Sequence, residues 1–115
     1  MVENPENHVD VEQLSELKDI MEDEFHTLID TFLSDSSSKI EGLAAAIGAA
    51  DAEEVRKLAH SLKGSSSNIC ASQLTEYARQ LEHMGKEGST EGAQDVFEKL
   101  KMEFDEVAVI LKNEI

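Results

Sequence analysis

Residues 93–111 read AQDVFEKLKMEFDEVAVIL, and the apolar positions Ala93, Val96, Phe97, Leu100, Phe104, Val107, Ala108 and Leu111 return every three or four residues. That period marks an amphipathic helix with one face turned to a core. Ser89 or Thr90 stands where its cap belongs. Reading back from this stretch, Asp51 followed by Ala52, Glu53 and Glu54 is another helix start, with a side-chain acceptor at the cap and acids facing the dipole. Val55, Leu58, Ala59, Leu62, Ser66, Ile69, Tyr77 and Leu81 then hold one slowly drifting stripe. The pattern predicts a single helix from Asp51 to a stop at Gly85 and Gly88. Further back, Asp23 opens a helix in which Phe25, Leu28, Ile29, Phe32, Leu33, Ser36, Ile40, Leu43, Ala44 and Ile47 recur, ending near Gly48. It is expected to run unbroken through Ser34–Ser38, although those side chains offer the backbone competing hydrogen bonds. Asp10 precedes a short helix carrying Val11, Leu14, Leu17, Ile20 and Met21, with Gln13 at the capping position.

Residues 1–9, with Pro5 and two Asn, read as an N-terminal arm to which no structure is assigned, and residues 10–115 as the helical domain. Short loops force successive helices to pack side by side. The expected fold is therefore all-α: an antiparallel up-and-down four-helix bundle with a short N-terminal helix. The composition agrees, with 40% apolar residues, only 4% aromatic, no Trp and one Pro in 115 residues. Ten basic against 25 acidic side chains give a net charge of −15. Such a surface repels polyanions, so neither nucleic acid nor an anionic membrane is expected as a partner. No apolar run reaches membrane-span length and the first residues lack a signal-peptide pattern, which predicts a cytoplasmic protein. One cysteine, Cys70, makes no internal disulfide, and His8, His26 and His83 are too scattered for a histidine metal site; no metal is expected.

The chemistry concentrates in Val55–Thr75, VRKLAHSLKGSSSNICASQLT. It holds Arg56, Lys57 and Lys63 but no acid, where the chain's average would place four or five. On a helix Lys63, Gly64, Ser67 and Ala71 fall within about 60° of His60, while Leu58, Leu62 and Ile69 lie near the opposite side. His60 thus points out over ground cleared by small residues. Gly64 inside a helix costs roughly 0.5–1 kcal/mol relative to Ala, a cost that close approach of another body explains. A neutral imidazole has a free nitrogen lone pair, and an ammonium three residues on discourages ring protonation and stabilises an attached phosphoryl group. The residues alone leave both a phosphoacceptor and an ordinary surface histidine open.

The run Ala59-His60-Ser61-Leu62-Lys63-Gly64-Ser65-Ser66-Ser67-Asn68-Ile69 closely resembles the phosphoacceptor helix of histidine-containing phosphotransfer (HPt) domains. There, His, any residue, Leu, Lys, Gly and small residues follow in phase. With the four helices read above, and with the later Leu74, Ala78 and Leu81-Glu82, the resemblance extends over essentially the whole chain. It implies that His60 carries the phosphoryl group, that Lys63 helps to neutralise it, and that Gly64 and Ser67 leave room for a receiver domain. It also implies a relay without an ATP site, taking phosphate from one receiver aspartate and giving it to another, with magnesium on the receiver and no cofactor of its own. No phosphate-cradling glycine loop contradicts this. At Cys70, members often have Gly.

Arg56 and Lys57, one turn before His60, are expected to meet a receiver's acidic rim, and Ala71 to line the same face. Glu82 and His83 lie about six turns from His60 along an unbroken helix, out of its reach. The reading is a stand-alone monomeric shuttle whose partners are receiver domains of sensor kinases and response regulators. The alternative is a non-catalytic helical adaptor or inhibitor binding an acidic partner. A weaker one is a dimerising histidine phosphotransferase in which two hairpins make one bundle.

Overall fold

A computed structural model describes residues 8–114. It has five helices, α1 (Val11–Met21), α2 (Glu24–Gly48), α3 (Ala52–Asn68), α4 (Ser72–Lys86) and α5 (Ala93–Glu114), and no strand among the described residues. Helix α2 packs on α3, α3 on α4, α4 on α5, and α5 on α2, so these four close into an antiparallel bundle, with α1 laid against α2. The short N-terminal helix is thus additional to the four.

Two starts follow the expected caps: the Asp10 carboxylate accepts from the Gln13 N–H and that of Asp51 from the Glu54 N–H, both at 3.1 Å. Helix α2 runs unbroken through Ser34–Ser38 because its inward stripe of Phe25, Ile29, Phe32, Ile40, Leu43 and Ala46 is buried on both sides of the serines. Ser36 itself is fully buried on that stripe, its hydroxyl without a hydrogen-bond partner. Across the core, Phe32 meets Phe104 with ring centroids 6.3 Å apart.

The helix expected from Asp51 to Gly85 is two helices. It breaks at Ile69, Cys70 and Ala71, where Cys70 adopts φ = 66°. Poor helix formers precede the break; the Ser66 and Ser67 carbonyls left at the end of α3 are taken by the Ile69, Cys70 and Ala71 N–H groups, and side-chain hydroxyls add bonds on either side of the turn. Ser66 Oγ, buried, bonds the Leu62 carbonyl at 2.7 Å and Thr75 Oγ1 at 2.9 Å, while Thr75 Oγ1 donates to the Ala71 carbonyl at 2.8 Å. The Ala71 N–H reaches back to the Ser66 carbonyl at 3.0 Å. The positive φ at Cys70 is why Gly is common there in the family this segment resembles: the left-handed region carries no Cβ penalty for Gly.

The apolar stripe could not reveal the break, because Val55–Ile69 and Leu74–Leu81 face one core equally well as a straight rod or a hairpin. Folding the rod in two brings α3 and α4 into close contact at Gly85. A Cβ there would lie 2.7 Å from both the Ala52 carbonyl oxygen and the Arg56 nitrogen. Gly85 is therefore a packing residue inside α4 rather than its stop. Gly88, at φ = 77°, follows the helix end. The arm boundary also shifts: Val9 is fully buried and His8 bonds Glu103, so the docked chain begins by residue 8. Residues 1–7 of the expected arm lie outside the described residues. His26, on the outer side of α2, pairs with Asp30 at 3.0 Å.

Candidate functional site

His60 sits on the outer face of α3 with 64% of its side chain exposed, opposite the buried Val55, Ala59 and Leu62. The hairpin places α4 beside it, and Glu82, only 6% exposed, comes up between the two helices. One carboxylate oxygen of Glu82 lies 2.9 Å from His60 Nδ1, the other 2.6 Å from Lys63 Nζ. Lys86 Nζ, one turn along α4, stands 3.7 Å from the oxygen that faces His60.

The hydrogen bond from Lys63 is the chief cause that holds the Glu82 carboxyl down to about 2; the His60 bond works in the same direction and burial against both. Glu82 is thus an anion at neutral pH, and an ionised carboxylate only accepts. The Nδ1 of His60 must therefore carry the hydrogen, which in the neutral ring leaves the lone pair on Nε2, the outer nitrogen. Burial of Glu82 is tolerated because His60, Lys63 and Lys86 converge on it.

Gly64 is exposed, and a Cβ there would meet nothing within 4 Å. Nothing inside the domain requires this glycine, so the open ground beside His60 is real and unclaimed by packing. Ser67 is exposed further along the same face. Lys57 is exposed one turn before His60, while Arg56 is half-buried with Nε 2.5 Å from Glu53 Oε1. Ala71 does not belong to this face: it is fully buried at the N-cap of α4, because the chain turns at Cys70 before reaching it. Glu82 is the residue that sequence reasoning missed. An unbroken helix put it six turns away, whereas the break after Asn68 folds it onto His60. The signal for it was the poor helix-forming run Ser65–Asn68 together with Leu81-Glu82. Among the described residues no three His, Cys, Asp or Glu side chains gather as metal ligands, and no helix is long and apolar enough to cross a membrane.

An exposed imidazole with its inner nitrogen anchored and an ammonium alongside can accept and release a phosphoryl group. Comparison with known proteins gives the same direction, for residues 27–109 match the family model described as Hpt domain. The chain belongs to the Hpt domain family. The crystal structure of histidine-containing phosphotransfer protein B (HptB) from Pseudomonas aeruginosa PAO1 matches this Hpt fold with a TM-score of 0.89 and 39% sequence identity, over 93% of each chain. Among curated proteins, none matches. Membership gives this Hpt protein a phosphotransfer role in relays, in a family that works with receiver domains.

Proposed function

We propose that this Hpt domain is a cytoplasmic, monomeric shuttle that takes a phosphoryl group onto His60 Nε2 from a receiver aspartate and passes it to the aspartate of another receiver. The observation that carries this reading is the His60–Glu82 hydrogen bond of 2.9 Å beneath a ring that is 64% exposed. The Nε2 lone pair attacks the phosphorus of the receiver's aspartyl phosphate; the N–P bond forms as the P–O bond to the aspartate breaks, and the carboxylate leaves with the receiver. No proton has to move, because Nδ1 already holds its hydrogen on Glu82. The positive charge that grows on the ring is balanced by that carboxylate. Lys63, half-exposed, turns its ammonium toward the phosphoryl oxygens, and Lys86 supplies a second cation at the edge. Onward transfer is the same exchange in reverse.

The partner-facing surface in this reading is Lys57, Gly64 and Ser67 around His60, with Arg56 at its edge. Magnesium belongs to the receiver's aspartate pocket and would screen the phosphoryl charge from that side. The test is incubation with a phosphorylated receiver domain: the wild-type chain gains an acid-labile, base-stable phosphate and His60→Gln gains none. Phosphate on His60→Gln would overturn the assignment, and binding without transfer by the wild type would favour an adaptor. Sedimentation at the mass of one chain, 12.7 kDa, excludes the two-hairpin dimer.

A further inference from the structure

His60, Lys63 and Lys86 converge on the Glu82 carboxylate, and they do not share it equally. Lys63 Nζ lies 2.6 Å from Oε1, a full hydrogen bond, and its side chain is 33% exposed. Lys86 Nζ stands 3.7 Å from Oε2, beyond hydrogen-bond reach, and its side chain is 60% exposed. Oε2 is also the oxygen that faces His60 Nδ1 at 2.9 Å. The Lys63 bond is the chief influence on the Glu82 carboxyl and holds it down, burial opposes it, and His60 adds to it. Without Lys86, Glu82 would still keep both hydrogen-bonded partners, and an exposed ion pair that lacks a hydrogen bond contributes little. The two lysines also arrive from opposite ends. Helices α3 and α4 run antiparallel, with Lys63 one turn past His60 and Lys86 one turn past Glu82.

On the shuttle reading above, on which this step rests, we propose that the two lysines divide the work of the site: Lys63 stays on Glu82 as the fixed positioning cation, and Lys86 exchanges Glu82 for the phosphoryl group each time His60 is loaded. Two changes drive the exchange. The ring gains positive charge as the N–P bond forms, and ring and Lys86 are then like charges at one oxygen, Oε2, which pushes Lys86 away. The phosphoryl group brings about two negative charges to the open side of the ring, which attracts the same ammonium. Lys86 follows at little cost, since it gives up no hydrogen bond and its four-carbon stem is flexible and in solvent. Lys63 cannot follow without leaving a buried carboxylate short of its nearest cation. It serves the phosphoryl group from where it stands, with the N–H groups that Glu82 does not use. Discharge to the next receiver sends Lys86 back to Oε2 and resets the site.

Single variants of the full chain separate the two roles. In the unloaded protein, Lys86→Gln should keep the wild-type urea midpoint and the wild-type ¹³C shift of the Glu82 carboxyl. Its loading from a phosphorylated receiver domain should nevertheless slow by about tenfold, and Lys86→Arg, which restores the charge, should come within about threefold of wild type. Lys63→Gln should instead move the Glu82 carboxyl shift and lower the urea midpoint before any phosphate arrives. Should Lys63→Gln not fold, side-chain ¹⁵N NMR of the wild type carries that arm: the Lys86 ammonium signal should move on loading and return on discharge. Loading of Lys86→Gln at the wild-type rate, a loss of resting stability in Lys86→Gln equal to that in Lys63→Gln, or a Lys86 signal that loading leaves in place would overturn the division of roles. Wild-type protein that takes no phosphate on His60 would instead overturn the shuttle reading, and the exchange with it.

Discussion

At the scale of single residues, Glu82 and Gly64 carry the chemistry by opposite means, one by presence and the other by absence. Glu82→Gln keeps an acceptor for His60 Nδ1 but removes the charge that balances the phosphorylated ring. Transfer from a phosphorylated receiver should slow by about tenfold, and by about a hundredfold in Glu82→Ala, where the ring loses its anchor as well. Rapid-quench transfer kinetics of the two variants measure this; equal, wild-type rates in both would remove Glu82 from the mechanism. Gly64→Ala separates stability from function. Its new methyl meets nothing within 4 Å in the domain, so helix propensity should raise stability by roughly 0.5–1 kcal/mol. The same methyl stands where a receiver must approach, and transfer should fall at least about tenfold. Denaturant melts and transfer rates on the one variant report both signs.

At the scale of elements, the decisive feature is the cut between α3 and α4. The helical stripes of α2 and α5 were legible because their apolar residues hold period over many turns, and His60, Lys63 and Gly64 were legible because a short in-phase motif carries them. Glu82 was not, and Ala71 was misplaced, for one shared reason: periodicity reports which side of a helix is apolar, and a rod and its folded hairpin show the same sides. The rod is cut at a left-handed Cys70, where the Ser66 and Thr75 hydroxyls bond each other across the turn. The hairpin is held close at Gly85, whose Cβ position is already occupied by the backbone of α3. Gly85→Ala should force the two helices apart and cost about 2–3 kcal/mol, lowering the melting temperature by about 8–12 °C. Because the shift moves Glu82 relative to His60, transfer should suffer even at temperatures where the variant is folded. Calorimetry followed by transfer assay at 20 °C below the melting point tests this, and an unchanged melting temperature would contradict the close packing.

At the scale of the whole molecule, a chain of net charge −15 gathers four of its ten basic side chains, Arg56, Lys57, Lys63 and Lys86, near one histidine and sinks the Glu82 carboxylate beneath it. That anion makes the fold sensitive to acid. Glu82 is held down to about 2, from an ordinary 4.5, so its ion pairs contribute full stability above the unfolded value, and the contribution is lost as pH falls from about 4.5 toward about 2. Urea melts over that range should show the wild type losing more stability than Glu82→Gln, which has no proton to gain at this position; parallel curves would contradict the buried ion-pair geometry. Phosphoryl transfer on the outer face of this four-helix bundle turns on where a single imidazole keeps its hydrogen. Nitrogen-detected NMR of ¹⁵N-histidine protein, before and after phosphorylation by a receiver, reads this directly. The account predicts that neutral His60 carries its hydrogen on Nδ1 and that the phosphoryl group appears on Nε2 of that ring. A hydrogen on Nε2, or phosphorus bonded to Nδ1 or to another histidine, would contradict it.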